Sequence, residues 1–149
     1  KGRTFTGVTH RLEPVGKRGG VRYYNDSIAT TPDRAIAGIN SFEEPLILIA
    51  GGSDKNLPFK ELGQVINEKV KILILLGVTA DKIGREVSPD RVMIARVQDL
   101  PQAVQLAASL AQRGDIVLLS PACASYDMFR NFQERGDLFR RLVQELPQD

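Results

Sequence analysis

Leu46-Ile47-Leu48-Ile49-Ala50-Gly51-Gly52 is an unbroken apolar run closed by two glycines. A strand with one wet face alternates apolar and polar residues, so a run with no polar member reads as a strand covered on both faces. The same pattern returns at Ile72 to Leu76, at Val92-Met93-Ile94-Ala95 and at Ile116-Val117-Leu118-Leu119. Helical stripes lie between these runs. Thr31 as N-cap, Pro32 at the first helical position and Asp33 in the first turn open a helix expected over Pro32 to Ser41. Leu62, Val65 and Ile66 mark a second helix, and Ala80, Ile83 and Val87 a third. Leu100 to Ala111 reads as a fourth, and Leu138, Phe139, Leu142, Val143 and Leu146 form one face of a last. Ahead of them, Leu12 and Val15, the turn from Gly16 to Gly20, then Val21, Tyr23 and Tyr24 predict an N-terminal β-hairpin. Hairpin and apolar strands together predict an α/β domain: a mostly parallel six-stranded sheet, doubly wound, with helices on its faces.

The chain has 149 residues, of which 42% are hydrophobic, enough for one core and one domain over residues 1–149. No apolar stretch approaches the roughly 20 residues that span a bilayer, so no membrane partner is expected. The single cysteine, Cys123, excludes an internal disulfide and a zinc cluster, and it agrees with a reducing compartment. The chain starts Lys1-Gly2-Arg3, without Met or an apolar leader, which reads as a piece of a longer protein. Net charge is +2, yet Lys1, Arg3, Arg11, Lys17, Arg18 and Arg22 face only Glu13 within the first 24 residues. That basic arm lacks interleaved aromatics, and nucleic acid is not an expected partner.

Open α/β sheets bind ligands beyond the carboxyl ends of their strands. Three polar clusters fall there: Asn25 to Thr31, Gly51-Gly52-Ser53-Asp54-Lys55, and Ser120-Pro121-Ala122-Cys123-Ala124-Ser125. The glycine pair either lets a backbone approach a ligand, with Lys55 supplying a cation, or simply makes a tight strand exit. Asp26 either accepts from a ligand hydroxyl or closes a turn, and Thr30 or Thr31 caps the following helix. His10-Arg11, just before the first strand, offers a ring and a fixed cation. Phe129 and Phe132 read as core on a helical turn. No Gly-x-x-x-x-Gly-Lys-Ser/Thr and no Gly-x-Gly-x-x-Gly is present, which removes the usual triphosphate and dinucleotide loops. No Gly-x-Ser-x-Gly elbow accompanies the lone histidine, and Cys123 reads as a small buried thiol, so no catalytic residue and no metal ligand is expected here.

His10-Arg11-Leu12-Glu13, Tyr24-Asn25-Asp26-Ser27-Ile28-Ala29-Thr30, Gly51-Gly52-Ser53-Asp54-Lys55 and Leu119 to Ser125 stand in an order and spacing that resembles the C-terminal domain of the Mur ligases. The tail Phe129-Arg130-Asn131-Phe132-Gln133-Glu134-Arg135-Gly136 continues the likeness, which extends over essentially the whole chain. The resemblance is to the branch that adds D-glutamate to UDP-N-acetylmuramoyl-L-alanine in peptidoglycan synthesis. It implies a Rossmann-like domain of a cytoplasmic three-domain enzyme whose N-terminal UDP-binding and central ATPase domains are absent from this chain. It also implies ATP and Mg2+, bound mainly by the central domain, an acyl-phosphate intermediate, and a fragment inactive alone. By matching position, Thr30, Lys55, Ser125, Tyr126 and Phe132 would hold glutamate, and His10, Arg11 and Asp26 would reach the nucleotide. Ile28 departs from the family, many members of which carry lysine there. An L-glutamate-adding ligase and a stand-alone module for a nucleotide or acidic metabolite are the alternatives.

Overall fold

A computed structural model of the chain describes residues 9–148; Lys1 and Arg3 of the basic arm lie outside the described residues. The elements run β1 (Glu13–Arg18), β2 (Val21–Asn25), α1 (Pro32–Ile39), β3 (Leu46–Ala50), α2 (Lys60–Lys69) and β4 (Val70–Leu75). Then follow α3 (Ala80–Gly84), β5 (Met93–Arg96), α4 (Leu100–Leu110), β6 (Ile116–Leu119) and α5 (Phe132–Gln144). The strands form one six-stranded sheet in the order β1-β2-β6-β3-β4-β5. Only β1 and β2 pair antiparallel; every other neighbour is parallel.

Both faces of the central strands are dry. Leu46, Leu48 and Ala50 of β3 and Leu73 and Leu75 of β4 pack with Ala35 and Ile39 of α1, Leu62 and Ile66 of α2 and Ile83 of α3. Ile47, Ile49, Ile72, Ile74, Val117 and Leu119 point the other way, against Leu100, Val104 and Ala107 of α4 and Phe139 and Val143 of α5. Each fully buried Leu, Ile, Val or Phe among them contributes about 1.5–3 kcal/mol, which is why the runs at Leu46 and Ile116 admit no polar residue. Two members of the basic arm are engaged locally: Arg22 pairs with Glu44 at 2.8 Å, and Arg18 donates to the carbonyls of Gln144 and Leu146, closing the C-terminal end of α5.

The topology places the site. β6 is the last strand to form in sequence yet lies between β2 and β3, so the chain reverses direction of growth around it. Because β2, β6 and β3 are parallel neighbours, the three loops that leave them emerge side by side. Gly51, at φ +120°, is the hinge of one exit: a Cβ there would lie 1.8 Å from the Leu76 carbonyl oxygen. The close approach that this glycine permits is therefore made by the chain's own backbone.

Candidate functional site

Backbone hydrogen bonds stitch the three loops into one floor. Asp26 N donates to Leu119 O (2.8 Å), Ala122 N to Ala29 O (2.9 Å), Gly51 N to Pro121 O (2.9 Å) and Ser53 N to Ala124 O (2.8 Å). Asp127 N adds a bond to Ser53 Oγ at 2.8 Å. The polar clusters found in the sequence thus converge. Ala122 (φ 66°), together with His10 (φ 67°) and Leu12 (φ 45°), adopts the left-handed region that non-glycine residues avoid. Such strain is held only where surroundings enforce it, and it gathers at functional sites.

Thr30, Lys55 and Ser125 sit on the three loops in turn. Thr31 caps α1 by accepting from Arg34 N, which leaves the Thr30 hydroxyl outside the cap. Lys55 is exposed and forms no ion pair among the described residues, while its neighbours are fixed. Asp54 accepts from Asn56 N at 2.8 Å and pairs with Lys82 at 2.7 Å, and the Lys82 bond holds the Asp54 carboxyl below its usual range. An anchored loop therefore presents a mobile ammonium. Ser125 is buried, and its Oγ has no hydrogen-bond partner. Tyr126 is 72% exposed beside it.

Arg135 of α5, which the sequence reading passed over, is the most telling residue in this region. Its Nε and Nη2 donate to Ser27 Oγ (2.9 Å) and Ser27 O (2.8 Å), but Nη1 is buried without a partner. Only 3% of the residue is exposed, and no carboxylate lies within ion-pair distance among the described residues. Burial pushes its pKa down to about 10, still far above neutrality. A guanidinium kept charged and dry with a free N–H is costly unless something anionic arrives. A cavity of about 10 Å³ beside it, lined in part by Gly52, Asp127 and Met128, has room for one oxygen atom.

The residues expected to reach a nucleotide divide. Arg11 and Asp26 line one pocket of about 280 Å³, with Leu12, Ile28, Ala29 and Arg34. Asp26 is buried; Oδ1 accepts from Leu12 N (3.1 Å) and Oδ2 from Ser120 Oγ (2.8 Å), leaving each oxygen a second lone pair. Burial raises its pKa to about 6 against the opposing pull of those bonds. His10 is not in this pocket. Its ring lies edge-on to Phe132 at 5.9 Å, and Gly136 approaches so closely that a Cβ there would sit 2.1 Å from Nδ1. Asn25 Oδ1 accepts from Ser27 N, which turns the Asn25 amide so that Nδ2 donates to His10 Nδ1 at 3.0 Å. Burial lowers the His10 pKa, and the neutral ring positions the segment that carries Arg11. Phe132, the first residue of α5, thereby touches the His10 ring, and its carbonyl accepts from Ser27 Oγ at 2.7 Å.

The described residues contain no cluster of three His, Cys, Asp or Glu that would hold a metal. None of the described helices is long and apolar enough to cross a membrane.

A family model described as "Mur ligase, glutamate ligase domain" matches residues 10–123. The chain is 49% identical over 151 residues to the UDP-N-acetylmuramoylalanine--D-glutamate ligase of Acetivibrio thermocellus, covering 96% of this chain and 32% of that protein. It is 51% identical over 144 residues to the enzyme of the same name from Symbiobacterium thermophilum, covering 95% and 32%. Among solved structures, the UDP-N-acetylmuramate-alanine ligase of Thermotoga maritima matches with a TM-score of 0.64 at 11% identity, over 94% of this chain and 31% of that one. A bifunctional folylpolyglutamate synthase/dihydrofolate synthase from Yersinia pestis, complexed with AMPPNP and manganese, also matches at 0.64, with 16% identity over 91% and 31%. These two show the shared fold. The chain spans about a third of the length of the curated relatives it matches.

Proposed function

The chain belongs to the Mur ligase family as a glutamate ligase domain, and we propose that it is the C-terminal, glutamate-binding part of a cytoplasmic three-domain enzyme. That enzyme would join D-glutamate to UDP-N-acetylmuramoyl-L-alanine, driven by ATP. The N-terminal UDP-binding and central ATPase domains would lie in the rest of the protein. The names of the relatives support the substrate and its hand. The observation that carries the reading is the pair of buried, unbonded donors, Ser125 Oγ and Arg135 Nη1, beside a loop that presents the unpaired Lys55.

Glutamate brings two carboxylates and one amino group. Lys55, with the donors of Thr30 and Ser125 and the adjoining Tyr126 and Phe132, would bind the carboxylates and leave the amine facing the second substrate. A free carboxylate is a poor electrophile because its leaving group would be oxide or hydroxide. Transfer of the γ-phosphoryl group from ATP to the L-alanyl carboxylate makes a carbon bound to a good leaving group. The amine nitrogen then attacks that carbon, the tetrahedral intermediate expels inorganic phosphate, and the nitrogen loses a proton to give the amide. Fixing the amine near the acyl carbon is this domain's contribution, a gain in effective concentration rather than acid–base chemistry. Arg11 and Asp26 would contact the phosphates and ribose of ATP, with His10 holding their segment in place, so that closure of the domains completes the site. Magnesium, which the family implies, has no chelating set among the described residues, and no step is assigned to it.

Lys55→Ala in the full-length ligase is expected to lower kcat/KM for glutamate about 30-fold, the loss of a charge-assisted bond to a carboxylate. The KM for ATP should stay within twofold, and the circular dichroism spectrum should not change, because Lys55 is exposed and unpaired. Near-normal glutamate kinetics in that variant would remove Lys55 from the site.

A further inference from the structure

Arg34 stands in the first turn of α1, where the partial positive charge of the helix N-terminus disfavours a cation. It shares a helix face with Ala37, and this face forms one wall of the 280 Å³ pocket that Arg11 and Asp26 line from the other elements. The Arg34 side chain is exposed, and neither it nor Arg11 makes an ion pair among the described residues. The one carboxylate in the lining, Asp26, is turned to Leu12 N and Ser120 Oγ and lies beyond ion-pair distance of both guanidinium groups, although it feels their charge. Two free guanidinium groups on separate elements thus flank a pocket whose remaining lining, including Leu12, Ile28 and Ala37, is largely apolar. The arrangement suits a phosphoryl group gripped from two sides, since the planar guanidinium fork matches its oxygens. At about 280 Å³ the pocket lies below the roughly 300–1,000 Å³ of whole-ligand sites, so it takes a part of a nucleotide and not all of it.

We propose that Arg34 is a second phosphate-binding cation, acting opposite Arg11 on the nucleoside triphosphate of the ligase; this rests on the functional reading above. Arg11 approaches from the segment before β1 and Arg34 from α1, so a phosphate between them ties the start of the domain to the helix that follows the Asp26 loop. The cation in an unfavourable first turn is then explained by its ligand. Glutamate is recognised by Thr30, Lys55 and Ser125, none of which lines this pocket, and its affinity does not depend on Arg34.

The test uses the full-length ligase with Arg34→Gln and Arg34→Lys. Calorimetric titration with ADP should show affinity about 10-fold weaker for Arg34→Gln, the KM for ATP should rise similarly, and the KM for glutamate should stay within twofold. Arg34→Lys should recover part of the loss. The melting temperature should not fall, because removing a cation from the first turn relieves the helix. Unchanged ADP affinity in Arg34→Gln, or a rise confined to the KM for glutamate, overturns the assignment while the wild-type ligase remains active. A wild-type parent that neither binds ADP nor releases phosphate overturns the ligase reading itself, and this proposal with it.

Discussion

Arg135→Met in the full-length ligase is expected to cut kcat/KM for glutamate about 100-fold while leaving the protein as stable as wild type within roughly 1 kcal/mol. Both halves follow from burial without compensation. The guanidinium is dry and charged, its Nη1 has no partner, and its two bonds go to one residue, Ser27. Methionine fills similar space and removes the desolvation penalty, which offsets the two lost bonds. Ser27 Oγ keeps its bond to Phe132 O, so the tie between the Asp26 loop and α5 survives. What disappears is the positive charge that awaits an anion. Arg135→Lys retains charge without the fork and should fall between wild type and Arg135→Met. A large drop in stability with unaltered glutamate kinetics would instead make Arg135 a structural clasp.

Asp26→Asn is expected to stabilise the 149-residue chain at pH 7.5. The Asp26 carboxyl has a folded pKa of about 6, above its ordinary value of 3.8, with burial the main cause. The folded state therefore binds a proton that the unfolded chain has released, and stability from this group is gained as pH falls through 6 and complete below 3.8. Above pH 6 the buried charge costs on the order of 3 kcal/mol, part of which asparagine returns in weaker bonds to Leu12 N and Ser120 Oγ. Urea unfolding should show a net gain of about 2 kcal/mol at pH 7.5 that shrinks towards zero near pH 4. In the full-length ligase the same variant should lose nucleotide affinity, because the acceptor proposed for the ribose becomes half donor. Destabilisation at every pH would mean that the carboxylate's two bonds outweigh its burial.

The central strands were legible because nothing interrupts them. The runs Leu46–Ala50 and Ile116–Leu119 coincide with β3 and β6 residue for residue. β4 begins two residues before the apolar run at Ile72, since Lys71 sits inside the strand with its ammonium 2.7 Å from the Asp115 carboxylate. A polar residue satisfied by a distant partner breaks a pattern read locally. The edge strand β5 is displaced by one residue, with Met93 exposed. α1 ends at Ile39 rather than Ser41, whose hydroxyl bonds back to Ala37 O beyond the helix. α5 starts at Phe132, well ahead of the stripe from Leu138, because Asn131 caps it by accepting from Glu134 N. Asparagine followed three residues later by glutamate was the signal for that start.

The site was legible in outline. Glycine and small polar residues after three apolar strands pointed to one edge of the sheet, and the strand order makes that edge continuous. The family resemblance is shown by the matched relatives. Arg135 was missed because a basic residue on an amphipathic helix ordinarily faces water, although its spacing of four from Phe139 and eight from Val143 put it on the buried face. The seclusion of His10 was not legible at all. It depends on Gly136, more than a hundred residues away, presenting bare backbone to the ring.

Phosphate release by the full-length parent, with ATP, magnesium and UDP-N-acetylmuramoyl-L-alanine, tests D-glutamate ligation itself when D-glutamate and L-glutamate are added in parallel. Release is expected with D-glutamate, and none above background with L-glutamate or with the 149-residue chain alone. Release with L-glutamate alone would keep the ligase chemistry and overturn the hand of the substrate. Release with neither would overturn the ligase reading and favour a binding module for a nucleotide or acidic metabolite.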